Sequence, residues 1–393
     1  MKLAARAGLL PGETAFSQGE RLYRAGIPFI NFAWGDPDQP TPEAVKAATC
    51  LALARNETRY ADTSGVLELR QAVAEHVSRT RGAPVSWEEV IVLPGANPGV
   101  FLAMLVLIDE GDEVIYPNPG YPLYPSAIRA AGGNPVPLPL RPELGYTFDP
   151  QELRALITRR TRAIIVNSPQ NPTGSLLGAE HLATLAEVAA GMDLWLLSDE
   201  VYYSFVYDGR FQSPFSLPEA REHVLLLDSF SKTFAMTGWR LGYAVGPRPV
   251  IERLGVLFAL VDFSVNTFIQ YGGIEALQHH DDVAASMRAV YQERRDRMVA
   301  GLNAIPGISC PTPAGSFYVF PEVTGACRRL GVKDALAFQE LVLEKARVAV
   351  MARHWFGPRN PGEVGEFVRL SYTLPLTDID EGLWRIQSLV EGS

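Results

Sequence analysis

Five short apolar runs limit what this chain can fold into. Val90–Leu93, Glu113–Tyr116, Arg162–Val166, Leu194–Leu197 and Val224–Leu227 each have the length of a strand and little polar alternation, the pattern of strands buried on both faces. Segments long enough for helices separate them, and such alternation predicts an α/β sheet covered by helices. Most of the polar motifs fall just beyond the carboxyl ends of these runs. Open α/β sheets bind their ligands there.

The chain has 393 residues, enough to bury a sizeable core and to divide into two domains. Its net charge of -9 argues against nucleic acid or an anionic membrane as a partner. Cys50, Cys310 and Cys327 are too few and too scattered for a disulfide framework or a metal cluster, and read as reduced packing residues. A basic start, Met1 to Arg6, is followed by Pro11 and Glu13, which interrupt the apolar run a signal peptide needs. The longest apolar stretch, Val100 to Ile108, is about half a membrane span. These features place the protein in the cytoplasm. His279 and His280 point in different directions on a helix and have no third ligand at metal spacing, so we expect no metal there.

The stretch Ser229-Phe230-Ser231-Lys232, continuing to Gly238-Trp239-Arg240-Leu241-Gly242, follows the fifth run. An unpaired ammonium beside a buried strand is costly. A lysine there reads either as a loop residue facing water or as an amine that loses its charge by bonding to a carbonyl. Asp199 ends the fourth run, where a buried carboxylate needs a cationic partner or caps the next helix. Pro94-Gly95-Ala96-Asn97-Pro98-Gly99 joins the first run to an apolar helix, and a strand, a small-residue turn and a helix N-terminus make an anion cradle. Arg369 lies within an apolar strand segment, Glu366 to Tyr372, where a guanidinium needs an anion.

Taken in order, these motifs resemble the class I/II aminotransferases, the fold type I pyridoxal phosphate enzymes, from about Phe29 to about Leu383. The resemblance implies a large domain over residues 45–285 with a mostly parallel seven-stranded sheet between helices. It also implies a smaller α+β domain formed by residues 1–44 with 286–393. Residues 1 to about 28 read as a loose arm ending in a short helix near Glu20 to Ala25. It implies pyridoxal 5'-phosphate as cofactor, Lys232 as the catalytic lysine, and Asp199 opposite the pyridine nitrogen. Tyr121 in Pro119-Gly120-Tyr121-Pro122 would stack on the ring. Asn171 in Asn-Pro-Thr-Gly and Tyr202 would bond its phenolic oxygen. Gly95, Ala96, Asn97, Ser229 and Arg240 would grip the phosphate, joined by Tyr60 from a partner subunit of a homodimer. Gly35, Asn171 and Arg369 would hold the substrate carboxylate. Glu200, beside Asp199, reads as a solvated neighbour.

The implied activity is transfer of an amino group from an L-amino acid to a 2-oxo acid. A carbon–sulfur lyase on the same scaffold needs the same lysine, aspartate and arginines. A non-catalytic regulator that senses the cofactor would carry an added DNA-binding domain. The chain departs from the family pattern at Met351-Ala352-Arg353-His354-Trp355, which replaces a Pro-Gly turn and reads either as an altered side-chain pocket or as an outward loop. It also has Asn97 and Tyr121 where bacterial aspartate aminotransferases often carry lysine and tryptophan, which argues against dicarboxylate substrates. Tyr121, Phe317, Trp355 and Phe16 suggest an aromatic or apolar side chain, while Arg353 leaves an acidic one open.

Overall fold

The computed structural model describes Tyr23, Arg24 and residues 26–392. Phe16 and most of the short helix expected at Glu20–Ala25 lie outside these residues. The twelve strands, in chain order, are β1 (Ile30–Asn31), β2 (Val90–Leu93), β3 (Glu113–Asn118), β4 (Asn134–Pro139), β5 (Thr161–Asn167), β6 (Trp195–Asp199), β7 (Val224–Ser229), β8 (Gly242–Val245), β9 (Tyr318–Val319), β10 (Val348–Ala349), β11 (Met351–Ala352) and β12 (Val368–Ser371).

Seven of them form one sheet in the order β2-β8-β7-β6-β5-β3-β4. Strand β8 runs antiparallel to both its neighbours, and every other pairing is parallel. The five apolar runs supply β2, β3, β5, β6 and β7. Two strands came without such a signal. β4 carries Pro135, Pro137 and Pro139 and lies at the sheet edge, where a missing N–H leaves no ladder bond unmade. β8 follows the Lys232 motif at once and turns back beside β7. Ser229 then pairs with Gly242, and residues 230–241 between them form a closed loop.

The helix Ala96–Leu107 packs across the sheet. A Cβ at Gly99 would lie 3.0 Å from Leu227 and 3.1 Å from Leu93, so this glycine lets the helix sit close on β2 and β7. The close seat brings the helix N-terminus to the carboxyl ends of those strands.

A second set of strands, β11-β12-β9, is antiparallel, and β1 pairs with β10 in parallel. The segment near residue 30 is thereby tied to the C-terminal part of the chain. Two hydrophobic clusters result. One surrounds the seven-stranded sheet, and the other lies among β9, β12, the long helix His280–Ala304 and the last helix Leu376–Glu391. They overlap along the chain: Phe320, Met351, Phe356 and Phe367 pack with the first, while Tyr202 and Phe205 pack with the second.

The segment Arg353–Phe356 is one 3-10 turn. Arg353 and Phe356 are buried, Trp355 is half-buried and His354 is exposed; Arg353 lines a smaller cavity of about 190 Å³, not the one that Lys232 enters. The Arg353 guanidinium is buried, 2.9 Å from Glu363, and donates to Asn118 and to the carbonyls of Gly357 and Pro358. Trp355 donates its indole N–H to Gln339. Two large polar groups are accommodated where a tight turn was expected because each finds a partner inside the fold.

Candidate active site

A cavity of about 680 Å³ opens between the two clusters, at the carboxyl ends of β5, β6 and β7. Lys232 sits in the single helical turn Phe230–Thr233, capped by the Ser229 hydroxyl. Its Nζ reaches into the cavity and donates to the Gly35 carbonyl at 2.7 Å. Burial pulls its pKa below the ordinary lysine value, and the nearby Tyr318 and Asp36 oppose that only in part. A lowered pKa favours the neutral, nucleophilic amine over the ammonium.

Asp199 ends β6 and is buried. Its Oδ2 accepts from the Tyr124 hydroxyl at 2.7 Å, and its Oδ1 has only the Val201 N–H, at 3.4 Å. Burial raises its pKa to about 6, against the lowering effect of the Tyr124 bond. No ion pair neutralises it among the described residues, so the site favours a cation facing Asp199.

Arg369 enters from β12 on the opposite wall and is buried. It donates to Asn171 Oδ1 at 2.9 Å and to the Ala33 carbonyl, and its Nε has no partner. The Tyr318 ring lies 4.2 Å from the guanidinium and Phe356 lies 5.0 Å away. A buried guanidinium without a carboxylate is a ready receptor for one.

The anion cradle lies at the third side. Gly95 caps the helix Ala96–Leu107 with φ +97°, a left-handed conformation that suits glycine. A Cβ there would also approach Arg240 Nη2 to 2.7 Å. Arg240, exposed at the mouth, donates to the carbonyls of Thr237 and Pro94. Ala96, Asn97, Ser229 and Ser231 line the wall next to it.

Tyr121 and Tyr202 line the cavity too. The Tyr202 hydroxyl lies 3.2 Å from that of Tyr318. Burial, with Tyr318 beside it, holds the Tyr202 phenol well above its ordinary pKa and therefore protonated. Gly35 lines the same space, so eleven of the thirteen candidates line one cavity, and Gly95 stands directly behind its wall against Arg240. Tyr60 stands apart. It is 82% exposed, with its ring centroid 4.7 Å from that of Phe263.

Tyr124 and Tyr318 escaped the sequence reading. Tyr124 lies three residues after Tyr121, at the start of a helix, and that spacing was the available signal. Glu200 needs correction: it is 1% exposed, not solvated. It pairs with Arg81 at 2.8 Å and accepts from Ser198 at 2.8 Å, so its charge is compensated inside the fold. His280 is buried as well, beside His76 and Tyr203, although its neighbour His279 faces solvent.

Comparison with known proteins agrees with this geometry. Residues 27–386 match the family described as aminotransferase class I and II. An aspartate aminotransferase of Pyrococcus horikoshii is 40% identical over 92% of this chain and 91% of its own. A probable aspartate/prephenate aminotransferase of Aquifex aeolicus is 37% identical over 97% and 96%. The crystal structure of the aspartate aminotransferase from Rhizobium meliloti superposes with a TM-score of 0.93, at 34% identity, covering 100% of this chain and 99% of that one. With a half-buried amine, a buried carboxylate and a guanidinium without a carboxylate partner around one cavity of this fold, the chain belongs to the class I and II aminotransferases.

Proposed function

We propose that the protein exchanges amino groups between an L-amino acid and a 2-oxo acid with pyridoxal phosphate held by the residues above. The observation that carries this reading is the pair Lys232 and Asp199: a half-buried amine and a buried carboxylate face one cavity with no ion pair between them. The chain's residues fit that cofactor. Asp199 calls for a cation, and a protonated pyridine nitrogen is one. Gly95, Ala96, Asn97, Ser229 and Arg240 surround a place for a dianion at a helix N-terminus. Tyr121 offers a ring face, and Asn171 with Tyr202 offers donors for a phenolic oxygen. When bound, pyridoxal phosphate supplies an aldehyde for the amine and a ring that draws electron density from the substrate carbon.

The remaining work belongs to the protein. Arg369 and Asn171 orient the substrate through its α-carboxylate. Lys232 Nζ takes the proton from substrate Cα and later returns one, a role that its lowered pKa favours. Asp199 keeps its facing cation protonated. The junction of the two clusters supports division into a domain over 45–285 and a second formed by the chain ends, whose approach would exclude water.

The side chain of the donor is aromatic or apolar in this reading. Tyr23, Trp34 and Tyr121 line the cavity, whereas Arg353 is buried against Glu363 and does not. The relatives are named for aspartate, so a panel of half-reactions should include dicarboxylates; conversion by those alone would overturn this assignment. A second copy of the chain completes the site. Val256, Leu260 and Val261 are exposed on the helix Arg248–Val261, and the exposed Phe263 just beyond it packs its ring on Tyr60; a homodimer would cover these apolar side chains while delivering Tyr60 to the other phosphate cradle. Borohydride reduction followed by peptide mapping tests the anchor: the adduct should fall on Lys232. Lys232→Ala should abolish transfer, and transfer undiminished in that variant refutes the reading. Release of ammonia and pyruvate without an oxo-acid acceptor would indicate the lyase instead.

A further inference from the structure

Tyr318 has no role so far, yet it touches three parts of the site at once. Its hydroxyl is 3.2 Å from that of Tyr202, and its ring lies 4.2 Å from the Arg369 guanidinium. The same hydroxyl fills the space over Gly35, where an added Cβ would lie 1.8 Å from it. Gly35 therefore lacks a side chain because Tyr318 occupies that volume, whatever else its backbone does. Tyr318 is also held firmly. It follows Ser316, a buried residue at φ +62° whose carbonyl accepts from Tyr207 at 2.6 Å and from Tyr372 at 3.2 Å. Those two bonds brace an unfavourable backbone angle, and they aim the β9 strand at the cavity.

We propose that Tyr318 is a positioning residue that serves the cofactor through its hydroxyl and the substrate through its ring. The proposal rests on the pyridoxal phosphate reading above. If Tyr202 donates its proton to the cofactor's phenolic oxygen, the bond between the two tyrosines has one possible direction: Tyr318 donates and Tyr202 accepts. A hydroxyl that accepts one bond becomes a stronger donor in the next. Tyr318 thereby strengthens the hold of Tyr202 on the phenolic oxygen and withdraws charge from it. Withdrawal of charge from that oxygen makes the cofactor-bound nitrogen less basic. The ring acts separately. It covers one face of Arg369, keeps the guanidinium plane aimed at the substrate carboxylate, and leaves the Nε edge free.

Two variants separate these roles. Tyr318→Phe keeps the ring and removes the hydroxyl. In the full-length enzyme loaded with pyridoxal phosphate, the pH midpoint of the visible absorption change should rise by about half to one unit, the size of one neutral hydrogen bond. KM for the amino acid should change little. Tyr318→Leu removes the ring too, and KM should rise roughly thirtyfold, the size of one desolvated cation–π contact. Gly35→Ala, which displaces the tyrosine, should shift the absorption midpoint in the same direction as Tyr318→Phe. An unshifted midpoint in Tyr318→Phe, with the wild-type titration present, overturns the hydroxyl role. An unchanged KM in Tyr318→Leu overturns the ring role. If the wild-type protein takes up no pyridoxal phosphate and shows no visible band, the cofactor reading itself fails.

Discussion

Arg81 and Arg369 are both buried guanidiniums, 4% and 3% exposed, and they are buried in opposite ways. Arg81 lies behind the sheet's carboxyl edge between two carboxylates, Glu200 at 2.8 Å and Asp228 at 2.9 Å, with the Tyr203 ring 3.5 Å from its carbon. Burial pulls its pKa down, but Glu200, Tyr203 and Asp228 outweigh that and hold it firmly protonated. Arg369 has an amide oxygen, a carbonyl, a thioether and two rings, and no carboxylate. Burial lowers its pKa from the usual value, opposed only by the phenols Tyr318, Tyr202 and Tyr121. A saturated buried charge belongs to the fold. A buried charge with a vacant bonding edge belongs to a ligand. Arg81 still bears on the site, because Glu200 follows Asp199 and the Asp228 carboxylate accepts the Ser229 N–H at 2.7 Å.

Substitution should break the comparison in opposite directions. Arg81→Leu strands two carboxylates in the interior and should lower unfolding free energy by about 3–5 kcal/mol in denaturant titrations. Arg369→Leu strands none. Its stability should stay within about 1 kcal/mol of wild type, while kcat/KM falls roughly a hundredfold or more through loss of charge-assisted bonds to the substrate carboxylate. Equal destabilisation by both would erase the distinction.

Asp199 sharpens it further, as a buried anion also waiting for a partner. Its folded-state pKa is raised to about 6 from 3.8. A raised value means that the folded cofactor-free protein holds this proton more tightly than the unfolded chain. The associated stability is full below about pH 4 and is lost as pH rises through about 6, amounting to about 2–3 kcal/mol. Asp199→Asn should remove this residue's share of the slope, leaving that of Asp228, which burial also raises to about 6, and should stabilise the cofactor-free protein at pH 7 by a similar or smaller amount. Adding pyridoxal phosphate to the wild type should flatten the slope as well. Thermal melts from pH 4 to 8 measure all three.

What could be read from the residues follows from the range of the interactions. Five strands were legible because their burial on both faces is written in their own apolar side chains. The lysine, aspartate and arginine of the site were legible because each is a charge placed where neighbouring residues exclude water. β4 was not, since an edge position tolerates prolines that mask a strand. Glu200 was misread because its partner Arg81 is distant in the chain, and no local spacing announces such a pair. Tyr318 was missed for a similar reason. A tyrosine within an aromatic run looks like packing until Gly35 and Tyr202 are seen to meet it.

The turn of β8 back along β7 has a consequence for how such an enzyme can change. Ser229 and Gly242 clasp a short loop that carries both Lys232 and Arg240. Lys232, the proposed cofactor anchor, and Arg240, the proposed phosphate contact, are therefore spaced by local chain geometry, not by the relative pose of distant parts. Lengthening that loop would displace both from their ligand together, whereas insertions at the far edge beyond β4 would leave their separation untouched.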